Sequence, residues 1–213
     1  MQAPAPIFIP ANQPTAEAPV VGINPMYIVP YPTDLIISEK LLSLSECSLA
    51  ITDSYGNLMF NIETKFFSLR DRRVLLSPDG RPIVTFQQKI LTAHRRWQVF
   101  RGESTNPKDL LFSVKKSSVL QLSTKLDVFL ASNTKETKCD FRMSGSWFQR
   151  SCTITLGDTN MVIAQVHKKH DIASIILDKD KFVLTVYPFV DYTFMITLVA
   201  ILQEINADRN GED

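Results

Sequence analysis

Cysteine and histidine are scarce in this chain of 213 residues, with three of each. Cys47, Cys139 and Cys152 are odd in number, widely spaced and never form a C-x-x-C pair. That argues against a disulfide framework or a zinc site and fits a reducing compartment, with the thiols buried and free. Of His94, His167 and His170, the last two sit in "HKKH" and would point to opposite faces of a strand. A zinc site would need further Cys or His ligands close by, and none follows in sequence. The motifs G-x-S-x-G, G-x-x-x-x-G-K-[ST] and G-x-G-x-x-G are all absent. A Ser-His-Asp triad assembled in space stays open, but no residue points to one. The expectation is therefore a protein that is not an enzyme and uses no metal or cofactor.

An excess of either charge is missing too. Lys and Arg number 23 against 22 Asp and Glu, a net charge of +1, so bulk charge favours neither nucleic acid nor membrane. Any such role needs a local patch. No basic stretch leads into an apolar core at the start, residue 2 is Gln, and the last residues are "NGED". No signal peptide, myristoyl group or prenyl group is expected on those grounds. Fixed-period repeats are absent, which disfavours a propeller. Helical crossovers between strands are absent, which disfavours a Rossmann or TIM architecture.

What is present begins with proline. Pro4, Pro6, Pro10, Pro14, Pro19, Pro25, Pro30 and Pro32 lie in the first 32 residues, out of twelve in the chain. Each fixes φ and removes a backbone donor, so residues 1–24 read as a Pro-rich disordered arm. "MYIVPY" (residues 26–31) reads as an edge lying along the domain. Residues 25–208 form one domain and 209–213 a polar tail.

From Asp34 the chain reads as short strands separated by turns. In "SLAITDSYGNLMFNIE", apolar residues alternate on either side of Ser54-Tyr55-Gly56-Asn57, a hairpin pattern. "RRVLLSPDGRPIVTFQQK" repeats the design around Pro78-Asp79-Gly80. Further strands are expected in "RRWQVFRG", "LLFSVKKS", "KLDVFLA", "KCDFRMSG", "SCTITLG", "NMVIAQVHKK" and "KFVLTVYP", while 171–177 reads equally as strand or short helix. About a dozen strands with short links make an antiparallel sheet, and one so large should curl or close.

The most apolar stretch is "VDYTFMITLVAILQEIN" (residues 190–206). Asp191 stands where an N-cap belongs, Val190 and Met195 occupy the positions of a hydrophobic staple, and Asn206 is suited to end the helix. Residues 192–205 would span about 21 Å, against roughly 30 Å for a bilayer core, so no transmembrane span is expected. Phe194, Met195, Leu198, Val199, Ile201, Leu202 and Ile205 cover most of its circumference; Thr193, Thr197, Ala200 and Glu204 leave only a narrow stripe of small or polar residues. Such a helix needs walls on nearly all sides. The expected fold is mainly β: a closed antiparallel barrel of about twelve strands around a central hydrophobic C-terminal helix.

The ordered set "LAITDSYGNLMFNIE", "RRVLLSPDGRPIVTF", "RRWQVFRGES", "LLFSVKKSS", "DFRMSGSWFQRSCTI", "VIAQVHKKH" and "DKFVLTVYPFVDYTFMITLVAILQEI" resembles the plant LURP-one-related proteins. Those share a fold with the C-terminal domain of tubby proteins and with phospholipid scramblases. The resemblance implies a twelve-stranded barrel around a central helix. For function it implies phosphoinositide binding and membrane tethering as in tubby domains, or a part in plant defence. Two scramblase features have no match. "DKDKFVLTVY" offers Asp178 and Asp180 but Phe182 where a third calcium oxygen is wanted, and no cysteine cluster exists for acylation.

Four basic clusters remain: Arg70, Arg72 and Arg73; Arg95 and Arg96; Lys115 and Lys116; Lys168 and Lys169. Each could help hold an anionic lipid head group. The plainer reading is that they are solvated strand ends that also protect sheet edges. Neighbours on a strand face opposite ways, so each pair lends one side chain to any patch. Without an aromatic-interleaved basic stripe, nucleic acid is disfavoured. The expectation is a domain binding phosphoinositide or another anionic membrane lipid, placed in the cytoplasm, peripherally at the plasma membrane or in the nucleus. The alternatives are an interaction scaffold that recruits protein partners through the arm and barrel surface and, third, an enzyme.

Overall fold

The structure, a computed structural model, describes residues 18–43, 46–65, 72–89, 96–117, 124–146, 151–168 and 181–210. Among these, strands β1 (Thr33–Ser43), β2 (Glu46–Thr52), β3 (Leu58–Lys65), β4 (Arg72–Leu76), β5 (Pro82–Gln88) and β6 (Trp97–Arg101) come first. They are followed by β7 (Leu110–Lys116), β8 (Thr124–Leu130), β9 (Phe141–Ser146), β10 (Ser151–Leu156), β11 (Val162–Lys168) and β12 (Lys181–Val186). Each strand pairs antiparallel with its neighbours in sequence, and β1 pairs with β12 to close a twelve-stranded up-and-down barrel. The expected hairpin turns form as their residues require. Gly56 and Gly80 take φ of 87° and 80°, and the Asp53 carboxylate accepts from the Tyr55 and Asn57 backbone amides.

Barrel diameter grows with strand number: about eight strands leave room only for side chains. Twelve strands enclose more, and helix α1 (Tyr192–Asn210) fills the space. Phe194, Met195, Leu198, Val199, Ile201, Leu202 and Ile205 are all buried against inward residues such as Leu35, Phe86, Phe112 and Phe182. The polar stripe is satisfied from within. Thr193 donates to Asp191 and Thr197 donates to the Thr193 carbonyl, both fully buried. No described helix is long and apolar enough to cross a membrane.

Two expectations about local structure change. The helix does not end before Asn206. It runs on to Asn210, and Asn206 donates from Nδ2 to the Leu202 carbonyl at 2.6 Å inside it. Residues 26–31 do lie along the domain, but through a single antiparallel bridge of Ile28 to Asp191 and a bond from the Phe189 amide to the Val29 carbonyl, not as a strand. Pro25–Tyr27 is a short 3-10 turn capped by Asn24, and Tyr27 packs edge-on to Phe60 and beside Tyr192. The segment 171–177, Asp178 and Asp180 lie outside the described residues.

The boundary of the packed domain also falls earlier than residue 25. Val20 and Ile23 are buried, and Val20 bridges Val190 in parallel. Gly22 lies so close to Phe194 that a Cβ there would stand 2.2 Å from the ring. The reason is Asp191, which is fully buried. Its Oδ1 caps the helix, accepting from the amides of Thr193 at 3.0 Å and Phe194 at 3.2 Å. Its Oδ2 accepts from the amides of Ile23 at 2.8 Å and Asn24 at 2.9 Å. One carboxylate thus ties the arm to the helix.

Two outcomes are expected. Leu198→Asp should give no soluble, cooperatively folded protein, because an unpaired buried charge costs several kcal/mol against a total of roughly 5–15. Asp191→Asn should lower stability in chemical denaturation by about 2–4 kcal/mol, because the amide nitrogen then faces either the helix or the arm donors. A loss under ~0.5 kcal/mol would contradict the clasp.

Candidate functional site

Up-and-down topology sends the links alternately to two rims. The links 53–57, 77–81, 102–109, 131–140 and 157–161 leave from the rim where Asp191 sits. At the opposite rim, where α1 ends, the strands terminate in a run of cations. From β3 round to β12 these strand ends carry Lys65, Arg72, Arg73, Lys89, Arg96, Lys115, Lys116, Lys125, Lys168 and Lys181. Acidic residues stand there too: Asp127 lies opposite Lys115 in register, and Glu63 lies two residues before Lys65. All four clusters expected from sequence therefore belong to one rim. Arg70, Arg95 and Lys169, in the links that leave it, lie outside the described residues.

Alternation sorts the cations by face. Leu75 is a core residue, so Arg73 faces inward and Arg72 outward; Val114 is a core residue, so Lys116 faces inward and Lys115 outward. Arg73 reaches the helix, where Nε and Nη2 donate to Glu204 at 3.0 and 2.7 Å. Such a bidentate pair is held by charge and by planar geometry together. It locks the last turns of α1 to β4.

Outside, the link 131–140 folds back over the wall far enough for Glu136 to meet Arg96 and Lys115. Arg96 donates through Nη1 at 2.7 Å and Nη2 at 2.5 Å, and Lys115 Nζ lies at 3.5 Å. Lys115 also sits 4.3 Å from the centre of the buried Phe129 ring, a cation–π contact. The Arg96 hydrogen bonds, with the nearby charges of Arg96 and Lys115, hold the Glu136 carboxyl below its usual range despite partial burial. Next to this group, Arg142 donates to Asp127 at 2.9 Å and pairs with Asp158.

Arg72 is different. It carries no ion pair among the described residues, its Nε is buried without a hydrogen-bond partner, and Lys65 stands directly opposite it in register. Like charges in direct opposition are unfavourable unless an anion joins them. Lys65, Lys89, Lys125 and Lys181 escaped the sequence reading because each is a lone lysine. Their only signal is position at alternate strand ends, which needs the strand directions.

The described residues offer little for catalysis. No group of three His, Cys, Asp or Glu among them could hold a metal. Burial pushes the Cys139 thiol up to about 11, away from thiolate chemistry. His167 shares a hydrogen bond with Thr185, which donates to Asp34.

Comparison with known proteins gives the kinship. The family model described as LURP-one-related matches residues 33–203. Protein LURP-one-related 15 of Arabidopsis thaliana is 49% identical over 199 residues, covering 93% of this chain and 92% of that one. Protein LURP-one-related 1 of Arabidopsis thaliana is 43% identical over 195 residues, covering 92% and 87%. A solved X-ray structure of an Arabidopsis thaliana protein superposes with a TM-score of 0.69 at 41% identity, covering 87% of this chain and 98% of that one.

The Glu136 bridge yields a pH test. A carboxyl with a depressed folded pKa stabilises above its ordinary value of 4.5, and that contribution disappears as pH falls through the folded value. Glu136→Gln should cost about 1–2 kcal/mol at pH 7. The gap to the parent protein should close on acidification below the ordinary value; urea titrations at neutral and acidic pH measure both.

Proposed function

The chain belongs to the LURP-one-related family, and from that premise we propose that it is a non-enzymatic binding domain that holds the phosphoinositide head group of a membrane through its basic rim. The observation that carries this is the gathering of ten lysines and arginines of the strand ends from β3 to β12 at one rim, whereas at the other rim β6 ends in Arg101. Protection of sheet edges does not account for them, because a closed barrel has no edge. Arg73, Arg96 and Lys115 are committed to carboxylates and serve as frame. The binding cations are Arg72 and Lys65, joined by Arg70, Arg95, Lys168 and Lys169. This is peripheral contact, with the apolar helix kept inside the barrel. A role as a membrane-tethered regulator in plant defence follows from the family resemblance alone.

The second reading, a scaffold that recruits proteins through its arm, must be tested with the right truncation. Deleting residues 1–24 removes Val20, Ile23 and the amides that Asp191 accepts from, so it damages the fold; deleting 1–17 spares them.

Vesicle flotation tests the lipid reading. Vesicles with phosphoinositide should retain the protein at low salt and release it as salt rises. Arg70→Gln, Arg72→Gln, Arg95→Gln and Lys169→Gln combined should weaken retention by roughly 10²–10³-fold, at about 1 kcal/mol per cation. Equal recovery with phosphoinositide and with neutral vesicles at low salt sinks the proposal. Retention untouched by the four substitutions moves the site elsewhere.

A further inference from the structure

Just inside the same rim, three hydrogen-bond donors lie buried without acceptors: Arg73 Nη1, Gln88 Nε2 and Trp97 Nε1. Register brings them together. Gln88 stands directly opposite Trp97, and Arg73 stands opposite Phe86, two residues before Gln88 on the same inner face. Trp97 is 2% exposed and Phe86 fully buried, and their rings lie 6.2 Å apart. The result is three unpartnered N–H groups within two register positions of one another, beside the Phe86 and Trp97 rings. A buried donor left without a partner costs free energy, and a fold rarely keeps three at adjacent register positions.

From this we infer that the inner rim of β4–β6 is a binding site for a small, uncharged, ring-bearing molecule with a carbonyl oxygen. The donors call for an acceptor. The rings call for a flat apolar body, packed offset or edge-on. Charge is excluded by what Arg73 already does: its guanidinium is neutralised by Glu204 at 2.7 Å. A second carboxylate brought beside Glu204 would meet repulsion and a desolvation cost that no free cation offsets. The site is independent of the outer basic rim, which uses Arg72 and its neighbours.

The indole N–H of Trp97 is its own reporter. The chain has two tryptophans, so Trp147→Phe leaves Trp97 as the sole indole resonance. Titration of the 15N-labelled full chain with N-methyl-2-pyridone, a flat neutral acceptor, should move that resonance downfield in a saturable way. Benzoate should bind at least ~10-fold more weakly, and Gln88→Leu should weaken the pyridone by ~10-fold, the loss of one hydrogen bond. If Gln88→Leu does not fold, Trp97→Phe with calorimetric detection replaces it and should show the same loss. Absence of a saturable shift with either probe overturns the site and leaves water as the partner of these donors. Tighter binding of benzoate overturns the uncharged assignment, and an unchanged affinity in both variants overturns the location. Vesicle retention should be unaffected by saturating pyridone, so either proposal can fail alone.

Discussion

A single buried carboxylate, Asp191, sets the arrangement on which the rest depends. It accepts from the first turn of the helix with one oxygen and from the incoming arm with the other. A helix placed in the middle of a barrel has its amino-terminal amides far from water, and each unpaired amide there would cost roughly 1–3 kcal/mol. Asp191 meets that need while also fixing the depth of the helix. The Arg73–Glu204 pair fixes the other end. Between these two charged clamps the buried helix surface is mostly apolar, with Thr193 and Thr197 bonded within the helix itself.

The clamps divide the molecule into ends with different duties. At the Asp191 end the arm lies across the barrel, with Gly22 against Phe194, which itself packs edge-on to Phe112 and Phe141. That end is given over to holding the fold. At the other end the strands finish in lysine and arginine, and three buried donors lack partners just inside. Unpaired donors and facing like charges are liabilities for stability, so their concentration at the end away from the clasp points to binding.

Much of the fold was legible. Alternation around Gly56 and Gly80 marked hairpins, and the absence of a polar face on 192–205 called for an enclosure. Asp191 was recognisable as a cap. Its second role was not, because the partners Ile23 and Asn24 lie 168 and 167 residues away and contribute only backbone amides, which any residue has. Prolines forbid regular structure without forbidding packing, so Val20 and Ile23 are buried although they lie among them. The helix end is equally non-local: Asn206 suits a cap but here bonds the Leu202 carbonyl within a helix that continues to Asn210.

The basic clusters show the limit most clearly. Their presence was plain in sequence, but as four unrelated pairs. The sequence by itself determined the repertoire: short strands, one wholly apolar helix, few cysteines and histidines, and cations beside the turns. Closure of the barrel decided the rest. It assigned alternate links to opposite rims, turned Arg73 inward to Glu204 and Arg72 outward, and set Gln88 against Trp97. Those outcomes depend on register and strand direction, which follow from pairing between distant segments and not from any local pattern.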